Sequence, residues 1–302
     1  MLWVMVGVSV TGLVLALAAR RATATAHNRM SAMVAAWRAE DCLARTQRVI
    51  AAALLQQTAD ADRPAPHGAP TWATLDGVLG DASLVGDGQC AITLVPTGTT
   101  VDVNTADQEL LTRLMLAIGV APVRADSIVD ALLDWRDPDD IPRPNGAEAA
   151  WYVSRRLAVP RNGPFADNRE IARVRGMDGV VGAGSVLGVT PGRILLDRAP
   201  LPVVAALPGF SPEAVARVAE HRERGAPIPD LLSFSAELSP NARAALVARY
   251  PDLVRLTTTE PDAWLLTGRG TAGLPAVTVA VELRLVRAGA RAAVVRRRTW
   301  IK

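Results

Sequence analysis

Residues 134–148 gather the side chains best suited to chemistry. The run Asp134-Trp-Arg-Asp-Pro-Asp-Asp-Ile-Pro-Arg-Pro-Asn-Gly-Ala-Glu148, closed by Trp151-Tyr152, brings Asp134, Asp137, Asp139, Asp140 and Glu148 into one short stretch. Pro138, Pro142 and Pro144 forbid helix continuation and restrict the backbone, while Asn145-Gly146 supplies a turn where positive φ is cheap. Carboxylates held this close raise each other's energy unless a cation sits among them. Hard oxygen ligands without His or Cys favour Ca²⁺ over zinc, and Ca²⁺ takes about six to eight oxygens on adaptable ligands. Asp139, Asp140 and Glu148 are the expected ligands, with Asp137 adding charge and Asp134 orienting the loop. The spacing is not that of an EF-hand. The competing reading is that Arg136 and Arg143 pair with some of the aspartates and water solvates the rest.

Other chemistry is sparse. His27, His67 and His221 are scattered without metal-ligand spacing. Gly182-Ala-Gly184-Ser185 fits neither the dinucleotide fingerprint nor a nucleophile elbow, and reads as a flexible connector. No enzyme is expected. The only two cysteines, Cys42 and Cys90, are candidates for a disulfide pinning a helix to a sheet, or for two buried thiols.

The elements that position the acidic loop are readable from pattern. Met1 to Ala19 carry no charge, and Arg20-Arg21 ends the run; at the helical rise this spans roughly 28 Å, one hydrocarbon core. Residues 1–20 therefore read as a transmembrane segment. From Leu13 to Arg63 there is neither Gly nor Pro, so residues 21–57 continue the same helix. Met30, Met33, Val34, Trp37, Val49, Ile50 and Leu54 at helical spacing give that extension an apolar stripe. Thr58 to Pro70 reads as linker.

Residues 58–103 should begin a small sheet, with Cys90–Val95 and Thr100–Val103 as a hairpin around Pro96-Thr-Gly98. Residues 255–302 supply the other half: Val277, Val279, Val281, Leu283 and Leu285 alternate with Thr278, Ala280, Glu282 and Arg284, and Arg291–Ile301 follows a turn at Ala288-Gly289. The middle is helical and repeats itself, over residues 104–195 and 196–254. Thr105 with Gln108 is a candidate capping box, Gly119 ends that helix, and a second runs from Pro122 to Asp134. Residues 197–224 repeat the plan around Leu207-Pro-Gly209. This is the helix-hairpin-helix pattern or its SAM-like relative, and the fold class expected is α+β with a large inserted helical domain.

Charge argues against a nucleic-acid surface. The formal net charge is +3, Lys302 is the only lysine, and apart from Arg296-Arg-Arg298 the arginines are interleaved with acids. Residues 104–145 are net acidic.

Together these segments resemble a known family. Val103-Asn-Thr-Ala106, Asp134-Trp-Arg-Asp-Pro-Asp-Asp140, Pro144-Asn-Gly-Ala-Glu148, Gly163-Pro-Phe165 before Glu170-Ile, Val174-Arg-Gly-Met177 and Ala206-Leu-Pro-Gly209 are similar to the K subunit of type II secretion systems. The resemblance implies a large minor pseudopilin at the tip of the pseudopilus that helps to initiate its assembly. Its partners would be I- and J-type minor pseudopilins, the major pseudopilin, the secretion platform and the inner membrane. It also implies a periplasmic bulk and a short basic leader removed by a prepilin peptidase. Arg20, Arg21 and Arg29 argue for the opposite orientation, which an upstream start supplying that leader would resolve. The K subunit lacks the early glutamate of major pseudopilins, and no acid precedes Glu40 here. The alternative is an envelope-anchored DNA receptor using the hairpins; Glu213 after Ser211-Pro places an acid where phosphate would sit.

Overall fold

The structure is a computed structural model that describes residues 2–59, 70–80, 90–289 and 291–301. The linker expected from Thr58 to Pro70 lies outside these residues except at its ends. The chain divides into two compact units, residues 1–95 with 263–302, and residues 96–262. The second is thus inserted in the chain between two strands of the first.

Unit one is built on helix α1 (Leu2–Ala59). Residues 5–30 are exposed throughout, and this helix is long and apolar enough to cross a membrane. Beyond Met30 it packs on a sheet through Ser31, Ala35, Ala39, Cys42, Leu43, Thr46, Ile50 and Leu54, a stripe of helical period. The sheet consists of β1 (Cys90–Pro96) followed, after the insertion, by the three strands of the C-terminal segment.

Unit two opens with the short strand β2 (Val101–Asp102) and the helices α2 (Gln108–Ala117), α3 (Pro122–Arg136), α4 (Ala149–Ser154), α5 (Asn168–Ile171) and α6 (Ala183–Val186). Strands β3 (Leu187–Gly188) and β4 (Ile194–Leu195) lead to α7 (Leu201–Ala206), α8 (Pro212–Glu223), α9 (Leu231–Ala236), α10 (Pro240–Ala248), α11 (Tyr250–Leu256) and β5 (Thr257–Thr258). Returning to unit one, β6 (Ala263–Ala272), β7 (Val277–Ala288) and β8 (Arg291–Ile301) complete the sheet in the order β1-β6-β7-β8, with β6–β7 and β7–β8 antiparallel.

The stripe chosen by hydrophobicity is only partly the buried one. Ile50 and Leu54 are in the core, but Met33 and Trp37 are 68% and 70% exposed. The sheet explains why. A Cβ on Gly270 would lie 2.0 Å from the Ala35 carbonyl oxygen, one on Gly268 2.8 Å from that of Ala39, and one on Gly273 2.2 Å from Ser31 Oγ. Glycines on β6 and just after it meet small residues on α1, so the backbones approach closely and the bulky side chains are left outside. The Arg38 guanidinium donates to the Thr271 carbonyl across this contact. Trp264, fully buried, anchors the other end and donates from Nε1 to the Trp72 carbonyl at 2.9 Å.

The expected hairpin of Cys90–Val95 with Thr100–Val103 is not formed. β1 neighbours β6 in the sheet, whereas β2 pairs in parallel with β3, Val101 opposite Leu187. The turn at Gly98 (φ +84°) redirects the chain, its carbonyl accepting from Leu195 N at 2.9 Å. The C-terminal hairpin forms with the alternation read from sequence, Val279, Val281, Leu283 and Leu285 being buried.

In unit two, α2 and α7 pack together around Leu110, Leu111, Leu114, Met115, Val203 and Val204. Asp107, not Thr105, caps α2, accepting from Leu110 N at 2.8 Å; a carboxylate there also meets the positive end of the helix dipole. Pro122 and Pro212 start the second helix of each helix–turn–helix pair, where a proline N–H is not missed. Gly182–Ser185 is not a loose connector: from Gly182 the chain enters α6, which buries Ala183 and Val186.

Candidate metal centre in the acidic loop

The acidic loop leaves α3 at its C-terminal end and returns at α4, and two aspartates on α3 brace it from beneath. Asp130 accepts from the Asn145 backbone N–H at 3.0 Å and from Asn145 Nδ2 at 3.3 Å. Asp134, one turn on and 0% exposed, accepts from the Arg143 backbone N–H at 3.2 Å and from Arg143 Nη1 at 2.8 Å. A Cβ on Gly146 would fall 1.9 Å from Asp134 Oδ2, so glycine is the residue that lets the loop close over this carboxylate. From the other side Arg175 donates to the Gly146 carbonyl at 2.7 Å and Ser127 Oγ to that of Asn145 at 3.0 Å.

An aromatic floor holds the base of the loop. Trp135 stacks on Phe165 (6.0 Å, 8°) and meets Tyr152 edge-on at 5.3 Å. Asn104 clamps Phe165 in place, its Oδ1 accepting from Phe165 N at 2.7 Å and its Nδ2 donating to the Phe165 carbonyl at 3.1 Å. The Tyr152 hydroxyl accepts from Arg175 N at 2.9 Å.

Three of the loop carboxylates converge. One oxygen each of Asp137, Asp139 and Glu148 lie within 4.8 Å of one another. Oxygens bound about 2.4 Å from one Ca²⁺ can be no more than about 4.8 Å apart, so the separations suit that ion. Glu148 is 4% exposed, and neither of its carboxylate oxygens has a hydrogen-bond partner. Asp137 Oδ1 is buried in the same condition, its other oxygen being held by Arg143. Burial first, then the charges of Asp134, Asp137, Asp140 and Asp139, push the Glu148 carboxyl up to about 7. A buried carboxylate aimed at two others without a donor is what a cation would satisfy.

The five acids named from sequence therefore divide. Asp137, Asp139 and Glu148 come together. Asp140 turns aside, accepting from Asn162 Nδ2 at 2.8 Å, and Asp134 serves the loop backbone. Arg143 pairs with Asp134 and Asp137; Arg136 does not join the acids, but donates to the Val103 and Ala106 carbonyls. Sequence reasoning did not find Asn162, which adopts φ +49° and also donates to the Asp139 carbonyl at 3.0 Å. No local signal marks it.

This loop lies within the stretch that matches a known family model. Residues 84–183 match the model described as type II secretion system protein K. The similarity to protein K covers about a third of the chain. The chain is 31% identical over 143 residues to type II secretion system protein K of Klebsiella pneumoniae, a match covering 43% of each chain. It is 41% identical over 81 residues to the protein of that name from Dickeya chrysanthemi, covering 27% of this chain and 22% of that one. The matches thus span less than half the length of these relatives. The fold is similar to that of a chain in the crystal structure of the GspK-GspI-GspJ complex from enterotoxigenic Escherichia coli. The TM-score is 0.53 at 19% identity, over 70% of this chain and 79% of that one.

Proposed function

We propose that this chain is a minor pseudopilin of a type II secretion system. It stands at the tip of the pseudopilus, where it helps to initiate assembly and so supports protein export. The observation that carries this reading is the match to protein K over residues 84–183, which runs from β1 into the unit that the chain inserts between β1 and β6. In this account α1 anchors the chain in the inner membrane and the bulk lies in the periplasm. I- and J-type minor pseudopilins are the partners in the tip complex, as GspI and GspJ are in the complex of the structural relative. An inserted unit of 167 residues is hard to repeat along a stacked filament, which favours the tip. The role is structural and needs no catalytic group. Deleting the gene should stop export of the system's substrates, and the full-length chain should restore it; undiminished export from the deletion strain would refute the reading.

The loop is the calcium site of this account. Asp137, Asp139 and Glu148 supply the carboxylate oxygens, Asp130 and Asp134 hold the loop backbone, and the bound ion neutralises the buried charge and orders the loop. The helix–turn–helix pairs are helix-hairpin-helix or SAM-like units used as scaffold. Glu213, in the first turn of α8, accepts from Ser239 N at 2.7 Å and fills the place where a phosphate would bind. That arrangement gives the DNA-receptor alternative no support.

A further inference from the structure

Strand β8 ends the sheet, and no strand lies on its far side among the described residues. An open edge offers unpaired N–H and C=O groups to any extended chain. A bulge interrupts β8 at Val295, since Leu285 faces Val294 while Arg284 faces Arg296; from Arg296 to Ile301 the register is unbroken. That length suits a short added strand.

The side chains along this edge sort by face. Arg297, Thr299 and Ile301 lie on the side of α1, opposite the buried Leu283, Val281 and Val279, and Arg297 is paired with Glu40 of α1. Arg296, Arg298 and Trp300 lie on the other face, opposite Arg284, Glu282 and Ala280. β6 adds Arg269 to the same row as Ala280 and Trp300. With Arg291 opposite Ala288, the outward face of the three strands carries five arginines against one glutamate. Arg284 and Arg296 stand directly across from each other, a juxtaposition of like charges that disfavours the sheet. Ile301 is 65% exposed at the open edge.

Arginines on an edge strand also serve simply to deter edge-to-edge pairing. Thr299, Trp300 and Ile301, however, are residues of high strand preference, and they leave the end of this edge receptive. We propose that the β8 edge from Arg296 to Ile301 receives an acidic extended segment of a partner chain as an added strand. The partner's carboxylates lie beside Arg296 and Arg298 and an apolar side chain beside Trp300. Main-chain hydrogen bonds then supply affinity, and the alternate side chains select an acidic sequence. This does not depend on the calcium site or on the secretion reading.

The test uses the full chain in detergent micelles and a synthetic peptide of alternating glutamate and threonine ending in leucine. The peptide should bind, slow hydrogen exchange at the β8 amides, and bind less tightly as salt is raised. Arg296→Gln with Arg298→Gln, checked for an unchanged melting temperature, should weaken binding about tenfold. A peptide N-methylated along one backbone edge should lose binding if it must pair through that edge, so both edges are blocked in turn. Absence of binding overturns the proposal. So does binding that survives methylation of both edges without slowing β8 exchange, which leaves the arginines as an edge guard or a general anion patch.

Discussion

Replacing Glu148 with glutamine should stabilise the metal-free protein and abolish its response to calcium. In the folded chain without metal, the Glu148 carboxyl is held near 7 against an ordinary value of 4.5. Between those values the native state holds a proton that the unfolded state has released. Stability is therefore full below about 4.5 and is lost as pH rises through about 7. The difference costs about 3 kcal/mol at neutral to alkaline pH. Glu148→Gln removes the ionised form and lets the amide donate to Asp137 or Asp139. At pH 8 in EGTA the variant should melt roughly 6–12 °C above the parent, at about 2–4 °C per kcal/mol for a chain of this size. Calcium should raise the parent toward the variant, by about 2.7 kcal/mol at a concentration one hundred times Kd, and leave the variant unchanged. Scanning calorimetry of the purified chain with Ca²⁺ and with EGTA is the assay. A metal-free variant less stable than its parent, or one that gains as much from calcium as the parent does, would refute the reasoning.

Other consequences are as direct. Cys42 and Cys90 are joined in the structure with Cα atoms 6.6 Å apart and a sequence separation of 48; reduction should cost about 4 kcal/mol on the chain-entropy account. Intact mass with and without reductant checks the bond, and two alkylatable thiols in the native protein would contradict it. Gly146→Ala places a methyl carbon against Asp134 Oδ2, so calcium titration calorimetry should show the site weakened or lost; wild-type heats would show that the loop gives way freely. Gly270→Val should lower the melting temperature sharply by driving α1 off β6, through overpacking that typically costs about 1–3 kcal/mol or more. Labelled duplex DNA should show no binding to the full chain by fluorescence anisotropy at physiological salt, and salt-dependent micromolar binding would revive the receptor reading.

The parts legible in the sequence are those where period and punctuation act alone. The absence of Gly and Pro after Leu13 marks α1, and strict alternation from Val277 to Leu285 marks β7. β6 escaped because Gly268 and Gly270 break its strand character, yet these same glycines set the contact with Ala35 and Ala39. That contact also decided which face of α1 is buried, overriding the bulk of Met33 and Trp37. The acidic loop was legible as a cluster of charge. Its division of labour was not, because Asp134 and Asp140 are drawn off by Arg143 and Asn162, partners chosen by the folded path of the loop. Arg136 went to backbone carbonyls for the same reason.

The proposed function requires this chain to assemble with I- and J-type minor pseudopilins. The most direct measurement is light scattering on a size-exclusion column, loading the detergent-solubilised full chain with the I- and J-type subunits of the same secretion system. The account predicts a single peak whose mass is the sum of one copy of each, formed only when all three are present. An I–J peak eluting apart from this chain at every concentration loaded would contradict it.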